Sequence, residues 1–131
     1  MDRAVIDPGW SWTRQYNISV GRRVGRDVYL SGLVAFDEAG ALVGEGDVYL
    51  QSMQIFRTID QALASVGGSL TDVVRITTYL TDMARYAEFA RARAEVFPHG
   101  SPASTAVATP ALVMPELLVE VEATAILAGG S

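Results

Sequence analysis

The chain has 131 residues and a mass of 14.0 kDa. Half of its residues are hydrophobic and 19% are charged, and this size and composition indicate one globular domain over residues 1–131. A net charge of −5 without any lysine argues against the clustered basic surface that nucleic-acid binding needs, and the lack of cysteine excludes disulfides and thiolate chemistry. No signal region and no sufficiently long apolar run is present, so we expect a soluble, cytoplasmic protein without a membrane partner.

The N-terminal third predicts a lead-in followed by a β-hairpin. Residues 1–16 hold both tryptophans and show no clear period, so we expect an irregular segment that packs its aromatics onto the body or onto a partner subunit. Residues 18–24 and 28–35 have the composition of two strands around a turn. Residues 41–44 predict a short third strand. Gly32, inside the second strand, either admits a ligand or another backbone or marks a bulge, and the pattern leaves both interpretations open.

Two helices alternate with the remaining strands. Asp47 can cap a helix that runs to about Val66, since apolar residues recur there at three- and four-residue spacing and Gly67 follows. Asp82 can cap a second helix that ends before Pro98. Strands are predicted over 73–81, 105–109 and 117–127. The order predicts an α+β domain with two helices on one face of a sheet, and the partly apolar other face predicts a homo-oligomer.

The last predicted strand has faces of unlike character. Leu117, Val119 and Val121 alternate with Leu118, Glu120 and Glu122, which is the period of two of a β-strand. Two carboxylates therefore share one face with apolar neighbours. Either they point to water at a strand end, or they lie half-buried in a pocket where desolvation raises their pKa.

Three segments carry a resemblance to a known family. They are VYLSG at 28–32, DVVR at 72–75 with the run to Asp82, and PASTAV at 102–107 followed by LVEVEA at 118–123. Together they resemble the YjgF/RidA family, also called the L-PSP endoribonuclease-like family, over about Ser19 to Leu127. The resemblance implies a chorismate-mutase-like fold with a mixed sheet, a homotrimer with a barrel-like centre, and small-molecule clefts between subunits. It also implies hydrolysis of reactive enamines and imines to ammonia and a 2-keto acid without a cofactor.

One position departs from the family in a way that bears on the substrate. Known deaminases of this family carry an arginine at the third position of the P-A-R-[ST] motif, where it grips the substrate carboxylate, and this chain has Ser104. A charged hydrogen bond contributes about 1.5–3 kcal/mol, so its loss weakens a carboxylate substrate by roughly ten- to a hundred-fold or more. The family's pocket tyrosine aligns with Ile18, while Tyr16 lies two residues away. We therefore do not expect a standard 2-imino acid deaminase.

The resemblance also assigns the remaining site residues. Glu120 falls on the family's carboxylate that positions or deprotonates water, and Ser31, Gly32 and Leu33 fall on the strand that lines the cleft. On the opposite wall the predicted substrate-binding residues are Ser104, Thr105 and Ala106, and Arg75 is a possible substitute anchor. The alternatives are a strand-end Glu120 paired with an arginine such as Arg75, and a solvated Arg75.

Two function classes follow from these residues. The first is a cofactor-independent hydrolase or deaminase of an enamine, imine or related metabolite, with Glu120 as the base and no metal site. The second is a ligand-binding or accessory trimer that keeps the cleft without the chemistry. A ribonuclease is less compatible with the acidic composition, and a nucleophilic site built from His99, Ser101 and Ser104 lacks an acidic partner. An aromatic lead-in near the expected pocket mouth predicts that Trp10 and Trp12 close the cleft.

Overall fold

The computed structural model describes residues 3–128, and a six-stranded mixed sheet forms its centre. Across the sheet the order is first, second, third, sixth, fourth and fifth strand. Only the fourth and fifth strands of the described chain are parallel, and the other neighbours are antiparallel. The strands are β1 (Arg3–Ile6), β2 (Gly21–Val24), β3 (Asp27–Leu33), β4 (Val73–Leu80), β5 (Ala103–Ala108) and β6 (Val119–Ile126).

Within residues 3–128 three α-helices accompany the sheet, and the cap predicted for the longest one is confirmed. They are α1 (Ser11–Gln15), α2 (Val48–Ala64) and α3 (Tyr86–Val96). Asp47 Oδ1 accepts a 2.9 Å hydrogen bond from the backbone N–H of Leu50 at the start of α2. Asp82 Oδ1 accepts one of 3.0 Å from Ala84 N–H, so it caps the 3₁₀ turn Met83–Arg85, and α3 itself follows Arg85 without a side-chain cap. None of the described helices has the length and apolar character needed to cross a lipid bilayer.

The core lies between the sheet and the two longer helices, which confirms the predicted α+β architecture. Phe56 of α2 and Phe89 of α3 are fully buried, with ring centroids 5.9 Å apart, and the sheet contributes residues such as Ile76 and Val121. The buried face of α2 is wider than its apolar stripe, because Gln51 is fully buried as well. On β6 the predicted alternation is confirmed, since every second residue from Val119 to Ala125 is buried.

Two predictions of local structure were wrong. The lead-in is not irregular throughout: residues 3–6 form the edge strand β1 against β2, and residues 11–15 form α1. Both segments are too short for a readable period and depend on contacts distant in sequence. Residues 41–44 make only one isolated bridge, between Phe36 and Leu42, because Gly44 with φ of +84° ends the extended conformation.

Candidate functional site

Glu120 lies on the face of the sheet that α2 and α3 leave uncovered. It belongs to the half-buried set of β6 residues and pairs with Tyr79 of β4 across the ladder. Within residues 3–128 its carboxylate forms no salt bridge, since the only ion pair found there joins Arg85 and Glu88. The alternative in which Glu120 pairs with Arg75 is therefore wrong. Arg75 is exposed and lies four residues before Tyr79 on β4, roughly 13 Å away at the rise of a strand.

The electrostatic surroundings of Glu120 favour its protonated form. Burial raises the pKa of the Glu120 carboxyl, and the charge of Glu122 on the same face raises it further. Glu122 is held in place by Tyr79, whose hydroxyl donates a 2.6 Å hydrogen bond to Glu122 Oε1. A carboxyl with a raised pKa can take up and release a proton closer to neutral pH than an ordinary glutamate can.

Gly32 of β3 lies directly beneath the Glu120 side chain. A Cβ atom at position 32 would lie 2.5 Å from Glu120 Oε2 and 2.8 Å from its Cδ. The β3–β6 register shifts between Leu30 and Leu33, so Gly32 also belongs to an irregularity of the bulge type. Of the two interpretations left open by the sequence, the bulge is observed, and what approaches the glycine is the carboxylate of Glu120.

The Glu120 side chain lines a cavity of about 480 Å³. Ser31, Gly32 and Leu33 line this cavity beside Glu120, so four of the predicted site residues come together. Aromatic and aliphatic side chains form most of the remaining wall: Trp12, Tyr16, Ile18, Phe36, Val113 and Met114. Sequence reasoning missed Phe36, Val113 and Met114. They lie on loops after β3 and before β6, where no periodicity shows which way a side chain points.

The N-terminal segment builds part of the cavity wall. Trp12 lies on α1 and lines the cavity, and Tyr16 follows at the end of the same helix. Trp10 is buried with 4% of its surface exposed, and it stacks on Trp12 with ring centroids 5.7 Å apart. The expectation that the aromatics pack onto the body is thus confirmed. Trp12 forms wall, whereas Trp10 supports it from the core.

The other predicted site residues lie outside this cavity in the single chain. Ser104 of β5 pairs with the buried Ile76, so it is on the helix-covered face, where its Oγ accepts a 2.9 Å hydrogen bond from Arg93 Nη1. Ala106 has the same orientation. Thr105 pairs with Thr77 on the Glu120 face, but β4 lies between it and β6.

Gln51 is a residue that sequence reasoning assigned no role. Its side-chain Nε2 donates to the carbonyls of Gly44 and Glu116 at 3.1 and 3.0 Å, and its Oε1 accepts from Leu118 N–H at 2.9 Å. This fully buried amide therefore ties α2 to the start of β6. It fixes the loop that carries Val113 and Met114 relative to Glu120.

Other chemistry is not assembled in the described part of the chain. His99 is exposed, and Ser101 Oγ donates to the carbonyl of Pro102, so no serine–histidine pair forms. Among residues 3–128, no three histidine, aspartate or glutamate side chains are grouped as metal ligands would be. A second cavity of about 360 Å³, lined by residues that include Asp7, Arg14 and Arg22, contains none of the predicted site residues.

Comparison with known proteins places this chain in a family. Residues 12–127 match the family model described as Endoribonuclease L-PSP. The 3-aminoacrylate deaminase RutC of Acinetobacter baylyi is 37% identical over 98 residues, which cover 75% of this chain and 77% of RutC.

Solved structures give the same assignment. A Mycobacterium tuberculosis member of the YjgF/YER057c/UK114 family superposes with a TM-score of 0.80 at 31% identity and covers 96% of this chain and 100% of its own. A protein from Entamoeba histolytica with an endoribonuclease L-PSP assignment superposes with a TM-score of 0.87 at 28% identity with the same coverage.

Proposed function

The chain belongs to the endoribonuclease L-PSP family, also called the YjgF/RidA family, and from that membership we propose that it hydrolyses the C–N bond of an enamine or imine without a cofactor. The observation that carries this proposal is Glu120, a half-buried carboxylate without an ion-pair partner in the described chain, which faces a cavity. The similarity to a 3-aminoacrylate deaminase supports the same reaction class.

In the proposed reaction Glu120 handles the protons. Its carboxylate takes a proton from water while the water oxygen bonds to the imine carbon, and it returns the proton to nitrogen as the C–N bond breaks. An enamine first gains a proton on carbon and becomes the imine. The raised pKa of the Glu120 carboxyl suits a group that must both accept and donate a proton.

We propose that the complete cleft lies between subunits of a homotrimer in the cytoplasm. The strand segment of Ser104, Thr105 and Ala106 would then come from a neighbouring copy, with Thr105 on the uncovered sheet face and Ser104 and Ala106 on the helix-covered face. The uncovered sheet face carries exposed apolar side chains such as Tyr29, Val107 and Ile126, as expected of a surface that another copy covers. In this arrangement Ser104 still lacks the charge of an arginine, so the enzyme is not a standard 2-imino acid deaminase.

A second candidate is a ligand-binding trimer without catalysis. One observation favours it: no arginine of the described chain lines the cavity. In that case the cleft holds an uncharged ligand, and Glu120 transfers no proton.

Ammonia release separates the two candidates. Freshly generated 2-aminoacrylate, a bulkier 2-imino acid and a carboxylate-free imine are given to the parent, to Glu120→Gln and to Ser104→Arg. Glu45→Gln, a change of an exposed carboxylate elsewhere, is the control. We expect release by the parent and a loss of roughly 10²–10⁴-fold in Glu120→Gln alone, the usual contribution of general acid–base catalysis. No release above buffer from any substrate would favour the binding protein.

A further inference from the structure

An arginine of α3 reaches the hydroxyl of Ser104 on β5. Arg93 Nη1 donates a 2.9 Å hydrogen bond to Ser104 Oγ. The same guanidinium lies near two aromatic rings of its own helix, with Cζ 5.4 Å from the ring centroid of Phe89 and 5.6 Å from that of Tyr86. Aromatic contacts and a hydrogen bond together restrict the positions that a guanidinium can adopt. A cation is therefore held in place beside Ser104 before any ligand binds.

The pair of Arg93 and Ser104 has hydrogen-bond donors left for an anion. A guanidinium carries several N–H donors in a planar fork, and Ser104 accepts from one nitrogen, Nη1. Because Ser104 Oγ is the acceptor in this bond, its own hydrogen is left for a second partner. The only ion pair within residues 3–128 joins Arg85 and Glu88, so no carboxylate of the same chain occupies Arg93. A carboxylate from outside the chain can thus receive converging N–H and O–H donors.

The edge position of β5 makes this pair accessible to a second copy. β5 is the last strand of the sheet, and five of its six residues are exposed. Ser104 is one of them, so the helices do not enclose its hydroxyl although it is on their side of the sheet. Under the proposed function this strand segment belongs to the cleft of a neighbouring copy. Arg93 then comes to that cleft together with Ser104.

We propose that Arg93, positioned by Ser104, binds a carboxylate of the substrate in the cleft of the neighbouring copy. This inference rests on the proposed function and assigns the residue that selects the substrate. A protonated 2-imino acid has a positive C=N group and a negative carboxylate, so Glu120 complements one end and Arg93 the other. Its hydrolysis, R–C(=NH₂⁺)–COO⁻ plus H₂O giving R–C(=O)–COO⁻ plus NH₄⁺, breaks the C–N bond and keeps the carboxylate. The enzyme remains non-standard, because its cation comes from α3 instead of from β5.

Arg75 is the competing anchor, since it is exposed on β4. Within residues 3–128 its guanidinium has neither a salt bridge nor an aromatic ring beneath it. A group that is ordered in advance loses less conformational entropy on binding than one that is not. Arg93 therefore binds a carboxylate at the smaller entropic cost, and the experiment compares both arginines.

Binding of a product and of its uncharged analogue tests the anchor without requiring turnover. The probes are 2-oxobutyrate and 2-oxobutyramide, which differ in the charge of one group, and calorimetry measures the affinity of each. We expect the parent to prefer the acid. Arg93→Gln should bind the acid roughly ten- to a hundred-fold more weakly, the effect of one charge-assisted hydrogen bond, and should bind the amide as before. Arg91→Gln is the matched control, because Arg91 is on the same helix and stacks on Tyr49, with Cζ 3.8 Å from the ring centroid.

A double variant separates recognition from structure. Adding Ser104→Arg to Arg93→Gln returns a cation to β5 and should restore acid binding, which a purely structural role of Arg93 does not predict. Four results would overturn the proposal: equal weakening of acid and amide, no recovery in the double variant, a loss in Arg75→Gln in place of Arg93→Gln, or a parent without preference for the acid.

Ammonia release keeps this inference distinguishable from the proposed function. With 2-imino acids, Arg93→Gln should raise KM more than it lowers kcat, because the carboxylate does not change during the reaction. Release that depends on Glu120 but keeps its KM in Arg93→Gln would overturn this inference alone. Arg93-dependent binding of 2-oxobutyrate without ammonia release from any substrate would overturn the proposed function alone.

Discussion

The carboxylate of Glu120 occupies the space above Gly32 where any other residue would place its Cβ atom, 2.5 Å from Glu120 Oε2. The backbone of Gly32 is not in the left-handed region, so conformation alone does not require glycine at this position. A Cβ atom at this position would instead force the Glu120 carboxylate to move. The position of the Glu120 carboxylate on β6 therefore depends on the small size of Gly32 on β3.

Replacing this glycine should displace the acid. In Gly32→Ala the new methyl group pushes the Glu120 carboxylate away, and a misplacement of about 1 Å can cost about 10²-fold in rate. We expect that loss in kcat for ammonia release, with an unchanged circular-dichroism spectrum. Adding Glu120→Asp shortens the acid, relieves the clash and should recover the stability lost in Gly32→Ala. A double variant as unstable as the sum of both changes would contradict the steric explanation.

The pH dependence of activity should report the charge of Glu122. Both burial and Glu122 raise the pKa of the Glu120 carboxyl, so kcat/KM should rise with pH through a value above that of an ordinary glutamate. Glu122→Gln removes one of these causes, and the acid limb should move to lower pH. Glu45→Gln, which is remote, should leave the limb in place. An acid limb that stays put or moves upward in Glu122→Gln would show that Glu120 is not the titrating base.

Thermal stability should change in the opposite sense to activity when Glu120 is neutralised. A carboxyl whose pKa is raised on folding contributes stability below its unfolded pKa and loses it as the pH rises through the folded pKa. At neutral pH the Glu120→Gln variant should therefore melt slightly above the parent, by the equivalent of less than about 1 kcal/mol since the site is half exposed. At acid pH the two should coincide. A Glu120→Gln variant that is less stable at neutral pH would indicate a favourable partner for the carboxylate.

Gln51 should contribute more to stability than its neighbour Gln54. Gln51→Leu leaves Leu118 N–H and two carbonyls without their partner, which we expect to cost about 2–4 kcal/mol in the free energy of unfolding. Gln54 is only half-buried and its amide donates to Phe36 O, so Gln54→Leu should cost about 1 kcal/mol. Urea unfolding of both variants measures the difference. Equal losses of unfolding free energy in the two variants would mean that the buried hydrogen bonds of Gln51 contribute no more than the half-buried one of Gln54.

Most of the architecture could be predicted because its signals are local. The caps at Asp47 and Asp82 and the alternation of β6 are all encoded within a few residues. The strand β1 carries no such signal, because its four residues are extended only where the edge of β2 pairs with them. The same holds for α1, a helix of five residues without a side-chain cap.

The site could be predicted only in part for a similar reason. Glu120 lies on a regular strand, where alternation tells which face a residue occupies, and Gly32 lies on the neighbouring strand, where its glycine marks an irregularity of the pairing. Phe36 and Met114 lie on loops, and their meeting at one cavity depends on how the chain folds back. The buried hydrogen bonds of Gln51 were not predicted because a glutamine on a helix is usually solvated.

The acidic part and the apolar part of the cavity come from different elements of the fold, and this affects how the selectivity of the cavity can change. The acid and its supporting glycine belong to central strands, whereas the apolar wall comes from α1 and from loops at the margin of the sheet. Substitutions at Trp12, Tyr16 or Val113 should thus change what the cleft accepts and leave the position of the proposed base, Glu120, undisturbed. Under the proposed function, the reacting group and the recognition wall lie in separate stretches of the chain, so either can diverge without changing the other.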